Sequence, residues 1–354
     1  MSHLIVNHRG YNEIRNIITP FEDKLKVFRR RGLVYFLFAL FFKITNKPNQ
    51  FLRNTAISFF SKDAIFHMFN GVLIAPVWCK WVVTFETTLP RWGSENKFLK
   101  YFVYFLLSRK NCLGIIAISS HTKDIFINDL LSNNSKHRSC ILKKLVVLHP
   151  SQKKLINKDR IIDKFKNIET LNIVFVGNQF FRKGGELLLD AFIKIQSNKN
   201  LNLYIISKLE TDSFVTFTNE VDVLRVKEKI GSNKNIRLLE NIPNSDVLSI
   251  LSKSHLCALP SYQDTYGYSI LESQAMGTPV ITTKQRAFSE INNNSCGWLL
   301  DEPSVNMMHS ALLEAIGDHD VLLQKALAAY HRVVTEHSLL DRRDVLNKVY
   351  RDVE

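Results

Sequence analysis

The sequence predicts an α/β protein made of two Rossmann-like domains. Short apolar runs of four to six residues alternate with helical stretches, the pattern of a parallel sheet covered by helices. The alternation lapses over the polar, Lys-rich segment 151–170 and then restarts. The length of 354 residues suits two domains. The boundaries this gives are 1–150, a short basic first domain; 151–335, a second domain; and 336–354, a terminal helix expected to pack back toward the first.

Within the first domain, two ten-residue apolar runs over 33–42 and 98–107 read as helices flanked by basic residues. Each is too short to span a bilayer, so each is either a core helix or a helix lying in a membrane surface. Strands are expected at 64–66, 80–85, 113–118 and 145–148, with a helix starting near Thr122. Segment 151–170 reads as a linker with some helix. In the second domain, strands are expected at 172–176, 201–206, 236–239, 256–259, 279–282 and 297–300. Helices are expected at 184–196, 245–251 and 269–276, and the last 50 residues are helical in pattern.

Composition excludes several classes. Hydrophobic residues are 45% and charged residues 23%, which rules out a mostly disordered chain. The five Cys, at 79, 112, 140, 257 and 296, form neither a zinc signature nor a disulfide framework, and a reduced compartment is expected. The polar start MSHLIVNHRG does not read as a signal peptide. Charge is the unusual feature. The net +14 falls entirely in the first 150 residues, where 22 Lys and Arg face 8 Asp and Glu; the remainder carries 25 of each. Nine basic residues and no acidic one lie between positions 24 and 62. This asymmetry points to an anionic partner on one half of the molecule. A nucleic acid is one such partner, but no RNA-binding motif is present.

Two segments carry chemistry. The first, VFVGNQFFRKGG over 174–185, runs strand, glycine, cations, helix start. Gly177 lets the backbone turn toward a ligand, while Gly184 and Gly185 open a helix whose N-terminus is partly positive. Arg182 and Lys183 add two cations at that point, giving either a diphosphate site or a solvated turn with a capping glycine. It is not a P-loop. Lys183 sits at a loop–helix junction, where removal is expected to cost little stability. The second, PSYQDTYGYSILESQAMGTPV over 260–280, places Asp264 on a polar loop that turns at Gly267 and Glu272 on the inward face of the next helix. Two acids eight residues apart suit hydroxyls on two sugar rings of one ligand. The alternative is a capping acid plus a structural salt bridge. The string Asp318-His319-Asp320 reads as helix capping rather than a metal site.

These segments resemble the retaining GT-B glycosyltransferases of glycosyltransferase family 4. That family shows strand–Gly–x5–Lys–Gly, then P-S-x-x-E-x-F-G-x4-E-A-M-A-x-G-x-P-V, then an acid in the following loop. Lys183 falls on the diphosphate-binding Lys, Asp264 and Glu272 on the paired acids, Gly277, Pro279 and Val280 on G-x-P-V, and Glu290 on the later acid. The resemblance covers about 172–300. It departs from the family where Asp264 replaces Glu, where Asn178 replaces Arg and leaves Arg182 as the candidate for the second cation, and near the N-terminus, where only Arg9-Gly10 approaches the expected Gly-rich loop. In the first domain, ISSHTK over 118–123 is similar to a family turn, and Glu86 occupies the place of an active-site His.

The resemblance implies the GT-B fold, two Rossmann-like domains facing across an active-site cleft. It implies transfer of a sugar from a nucleoside diphosphate sugar to an acceptor hydroxyl, with no cofactor and no metal. Arg182, Lys183, Asp264 and Glu86 are the expected catalytic residues. Gly177, Asn178, Gly184, Tyr266, Gly267, Tyr268, Ser269, Glu272 and Glu290 are expected to bind the donor. The acceptor is expected to be a saccharide or lipid-linked saccharide of lipopolysaccharide, capsule or other surface-polysaccharide synthesis, reached from the cytoplasmic face by peripheral binding to anionic membrane. Nucleic acid is not expected as a partner. A catalytically inactive sugar-nucleotide-binding protein of the same fold is the alternative.

Overall fold

The computed structural model describes residues 3–6, 10–11, 14–21, 26–29, 33–45, 54–59, 64–89, 97–133, 136–195, 200–285 and 287–351. The chain divides into two compact units, Met1–Ser151 with His337–Glu354, and Gln152–Glu336.

The first unit is built on a six-stranded parallel sheet. Its strands are β1 His3–Val6, β2 Lys26–Arg29, β4 Ala64–Phe69, β6 Trp81–Phe85, β7 Cys112–Ala117 and β8 Leu145–Val147, in the order β2-β1-β4-β6-β7-β8. Strands β4 and β6 are buried along their whole length, as strands covered on both faces must be. A separate parallel pair joins β3 Thr55–Ile57 to β5 Val72–Ile74. Strands β1, β2, β3 and β5 were not expected. They are three or four residues long. Helices follow at α1 Leu33–Thr45, α2 Lys97–Ser108, α3 Ser120–Ser132 and α4 Arg138–Leu142. The two apolar runs are buried to different extents. Helix α2 buries Val103, Tyr104, Leu106 and Leu107. In α1, every side chain from Phe36 to Thr45 is exposed except the half-buried Phe38.

Residues 337–351 complete this unit. Helix α13, Leu339–Arg351, packs on the helical turn Thr19–Phe21 and on β7. Its Tyr350 hydroxyl lies 2.6 Å from His67 Nδ1, and His67 Nε2 lies 2.7 Å from Thr84 Oγ1. Burial, aided by the Arg342 charge, pushes the His67 pKa down to about 3, so the imidazole is neutral. The buried Arg342 guanidinium donates to the carbonyls of Asn16, Leu148 and His149 at 2.8, 2.9 and 2.5 Å.

The second unit carries β9 Leu171–Val176, β10 Leu201–Ile206, β11 Ile236–Leu239, β12 Leu256–Leu259, β13 Val280–Thr283 and β14 Gly297–Leu300. All are parallel, in the order β11-β10-β9-β12-β13-β14. Relabelled within the unit this is 3-2-1-4-5-6, the dinucleotide-fold order, whose direction reverses between β9 and β12. The segment expected to be a linker with some helix does hold one. Helix α5, Lys158–Lys164, buries Ile161, and its Lys164 Nζ donates to Met276 O and Thr278 Oγ1, both at 2.9 Å. The remaining helices are α6 Gly185–Ile195, α7 Glu220–Gly231, α8 Asn244–Lys253, α9 Tyr268–Ala275, α10 Phe288–Ile291, α11 Val305–Gly317 and α12 His319–Glu336. Asp318 caps α12 by accepting from the Asp320 and Val321 N–H groups at 2.9 and 3.1 Å, the capping role expected of that string.

Candidate functional site

The reversal point of the second sheet is where an open α/β fold leaves a crevice at the carboxyl ends of its strands. Both chemistry-bearing segments meet there, one after β9 and the other after β12.

After β9 the chain turns at Gly177, whose N–H donates to Ile206 O at 3.0 Å and whose carbonyl accepts from Ser207 Oγ at 2.7 Å. A Cβ at Gly177 would sit 2.6 Å from Lys183 Cδ. The glycine therefore leaves the passage that the Lys183 side chain occupies. Gly184 has φ +74°, and a Cβ there would meet Pro260 O at 2.1 Å. Only glycine lets the start of α6 lie against the end of β12. That contact joins the two segments.

Lys183 Nζ lies 3.1 Å from Asp264 Oδ2, with side-chain exposures of only 16% and 11%. Burial by itself would raise the Asp264 carboxyl. The Lys183 charge and hydrogen bond, the Thr265 N–H donated at 2.8 Å and the Arg182 charge outweigh it, and its pKa is lowered. Asp264 is thus a carboxylate. Arg182 donates from Nε to Gln179 Oε1 at 2.6 Å and from Nη1 to Gln263 O at 2.5 Å, while its own carbonyl accepts from the Tyr262 N–H at 3.0 Å. The two cations are therefore held differently. Lys183 is ion-paired and largely buried, whereas half-buried Arg182 stitches the two loops together. Lys183 is not the surface residue the sequence suggested, because Asp264 and Gly177 admit it to the interior. Asn178 is exposed beside them.

Beyond Asp264, Tyr266 is fully buried and its ring lies 5.4 Å from that of Tyr268. Gly267, at φ +85°, opens α9; a Cβ there would meet the Ile270 and Phe288 side chains at 2.7 Å. Ser269 is half-buried and Glu272 is buried on the same helix. Gly177, Arg182, Lys183, Gly184 and Asp264 thus form one cluster, with Tyr266 to Glu272 on the adjoining turn and helix. Glu290 stands on α10, whose Phe288 packs at Gly267, and its backbone carbonyl accepts from Arg332 Nη2 at 2.7 Å.

Glu86 belongs to the other unit, at the carboxyl end of β6, and is 3% exposed. Its N–H donates to Asn70 Oδ1 at 2.9 Å, its Oε2 accepts from Asn70 Nδ2 at 3.2 Å and its carbonyl accepts from Thr122 Oγ1 at 2.8 Å. Ser119 Oγ donates to Thr122 Oγ1 at 2.9 Å, which ties the ISSHTK turn to the same point. Asn70 grips Glu86 from a left-handed backbone, φ 53°. Sequence reasoning missed Asn70 in this role. The Asn70-Gly71 dipeptide marks a turn but says nothing of what the amide reaches. Arg9, beside the sparse N-terminal glycine position, lies outside the described residues.

Two doubly wound parallel units, the second with a cation–acid pair at its reversal point, define the GT-B class of nucleotide-sugar proteins. Residues 157–332 match the family model for Glycosyl transferases group 1, and this domain belongs to that family. The capsular polysaccharide biosynthesis glycosyltransferase CapM of Staphylococcus aureus is 24% identical over 239 residues, which is 64% of this chain and 58% of CapM. A D-inositol 3-phosphate glycosyltransferase of Corynebacterium urealyticum is 31% identical over 107 residues, 29% of this chain and 24% of that protein. The chain thus matches less than two thirds of the length of these curated relatives. Among solved structures, HepE of Anabaena in complex with UDP and glucose superposes with a TM-score of 0.64 at 12% identity over all of both chains. A glycosyltransferase of Rickettsia africae gives 0.62 at 18% identity, covering 99% of this chain and 90% of that one. At these identities the structural likeness speaks for the fold alone.

Proposed function

We propose that this protein transfers a sugar from a nucleoside diphosphate sugar to an acceptor hydroxyl with retention of configuration. The observation that carries the reading is the Lys183–Asp264 pair at the reversal point of the second sheet, beside a helix start that only glycine permits. Lys183, Arg182 and the N–H groups at the start of α6 meet the diphosphate. The bond from the sugar's anomeric carbon to the diphosphate oxygen breaks, and the acceptor oxygen bonds to that carbon on the same face. The acceptor's proton passes to the departing diphosphate. The protein's task is to stabilise the charge that develops on that leaving group. Asp264 accepts from hydroxyls of the transferred sugar and Glu272 from those of the ribose; Glu290 and the Tyr266–Ser269 turn complete the donor site. Glu86 serves the reacting sugar or acceptor from the first unit.

The product belongs to a surface polysaccharide, a reading supported by the likeness to CapM, and the acceptor is a saccharide or lipid-linked saccharide. The excess positive charge of residues 1–150 supports peripheral binding to an anionic membrane, on the cytoplasmic face. No helix among the described residues is long and apolar enough to cross a membrane. A thermal-shift panel of UDP, GDP, CMP and their sugars tests the donor reading, since a ligand that binds only the native state raises its melting point. UDP, the nucleotide in the HepE structure, is the first probe. A flat response to every nucleotide would refute the assignment.

A further inference from the structure

We infer that helix α1 is a monotopic membrane anchor that enters the acyl region of the bilayer rather than resting on its charged surface. This rests on the membrane reading above and changes its physical character. Of the thirteen residues LVYFLFALFFKIT, only Lys43 is charged, and the hydroxyls of Tyr35 and Thr45 are the other polar side-chain groups. Phe36, Leu37, Leu40, Phe41, Phe42 and Ile44 are 37–73% exposed, and they point around most of the helix circumference. A helix that is apolar all round belongs in a protein core or in lipid. Among the described side chains of α1, Phe36 to Thr45, none is buried. It satisfies its own backbone hydrogen bonds, so hydrocarbon is an admissible surrounding. At about 1.5 Å per residue it is roughly 20 Å long, short of the ~30 Å hydrocarbon thickness, so it embeds without crossing.

Its neighbours fit the same plane. Helix α1 packs beside β3, β3 pairs with β5, and β5 packs beside α2. On α2, exposed Phe98, Tyr101 and Phe105 share one face at spacings of three and four. Lys136 Nζ lies 5.5 Å from the Tyr101 ring centroid and Arg109 Cζ 5.9 Å from that of Phe105. Trp78, exposed in the turn after β5, donates from Nε1 to Phe59 O at 3.4 Å. Aromatic rings paired with cations suit the headgroup level, below which α1 inserts. The occupant is a bilayer rather than a second copy of this chain. The nine basic residues between positions 24 and 62 have no acid among them, so self-association would press like charges together, whereas anionic headgroups neutralise them.

Charge-only adsorption and insertion differ in one measurable respect. At 1 M salt the screening length is about 3 Å, which dissolves surface attraction but not apolar burial. The full chain is sedimented with vesicles of phosphatidylcholine and phosphatidylglycerol at low salt, then washed in 1 M NaCl. Wild type should stay bound through the wash and leave only in detergent. Each side chain buried in lipid is worth about tenfold in partition, so Phe36→Gln, Leu40→Gln and Ile44→Gln together should weaken binding on the order of a thousandfold, with any remaining binding salt-labile. An unchanged far-ultraviolet circular-dichroism spectrum and an unchanged melting profile of the triple variant, with both units unfolding as in wild type, show that its fold is kept. A separate Phe36→Trp variant should gain fluorescence that brominated acyl chains quench. Wild type fully released by salt, or added fluorescence in the Phe36→Trp variant that brominated lipid leaves unquenched, overturns the anchor while leaving charge-driven adsorption intact. No binding at low salt overturns both. A lipid-independent dimer that the triple variant abolishes, without vesicle retention, assigns the face to a second copy and also overturns the anchor.

Discussion

Replacing Lys183 with Ala should lower both turnover and stability, for separable reasons. Lys183 and Asp264 are paired at 3.1 Å with side chains 16% and 11% exposed. Removing one partner of a buried pair typically costs about 3–5 kcal/mol, because the other charge stays buried and uncompensated. Here Arg182 and the Thr265 N–H still face the Asp264 carboxylate, so about 3 kcal/mol is the expected loss. For a unit of this size each kcal/mol lowers the melting point by roughly 2–4 °C, giving a fall of about 6–12 °C. The double variant Lys183→Ala with Asp264→Asn removes the stranded charge and should recover most of that loss. Turnover should behave differently. Losing one cation on the leaving diphosphate costs about 2.7–4 kcal/mol of transition-state stabilisation, a fall of about 100–1,000-fold that the double variant does not restore. The pH dependence carries a sign. The folded-state pKa of Asp264 is lowered, so its stabilising contribution is complete above the unfolded value of about 3.9 and is lost as pH falls through the lower folded value. The stability gap between wild type and Lys183→Ala should be full at pH 7 and narrow as acid protonates the stranded Asp264, which relieves the variant of its buried charge. Urea titrations of the three variants measure it. A Lys183→Ala protein as stable as wild type, or a double variant as unstable as the single, would refute the buried-pair reasoning.

Asp264→Asn should weaken the intact sugar nucleotide while leaving UDP bound as well or better, since the phosphates no longer compete with Asp264 for Lys183. Glu272→Gln should weaken both, and calorimetry with the two ligands separates the roles; equal losses in both variants would show that the acids do not divide the ligand. Asn70→Ala should reduce turnover about tenfold or more with UDP affinity unchanged, because Glu86 loses a partner in the unit that lacks the Lys183–Asp264 cluster. Turnover equal to wild type in that variant would remove Asn70 as a positioning residue. His67 stays neutral in the fold with its pKa lowered to about 3, while the unfolded chain takes up a proton near pH 6.5. The His67 contribution is therefore complete above pH 6.5 and is lost as pH falls toward 3, so stability should decline more steeply there in wild type than in His67→Gln. Parallel pH profiles for the two proteins would contradict this.

The second unit was legible because its signals are local. Strand, glycine and helix start follow one another within twelve residues at 174–185, and the buried Glu272 follows from its place in an apolar helix face. What sequence could not supply was the joining of distant segments. The contact of Gly184 with Pro260 brings Lys183 to Asp264 across some eighty residues, and this contact turns an expected surface cation into a buried ion pair. Segment 151–170 read as a linker because its Lys content masks three anchors: Ile161 and Phe165 are buried, and Lys164 donates to Met276 O and Thr278 Oγ1 in the turn after α9. The first unit was harder for a different reason. Strands β1, β2, β3 and β5 form by pairing with neighbours rather than by a marked local preference. Helix α1 was visible as an apolar run, but a run of that kind looks the same whether protein or lipid covers it.

The return of α13 into the first unit sets an order on assembly. The second unit is one unbroken segment, 152–336, and can close on itself as soon as it has been synthesised. The first unit is begun earlier but cannot be finished then. Tyr350 and Arg342 must first reach His67 and the carbonyls of Asn16, Leu148 and His149. During synthesis the half made first therefore waits on the half made second, with the His67 face of its sheet uncovered. A chain released before residue 339 would leave that unit open however well the other half had folded.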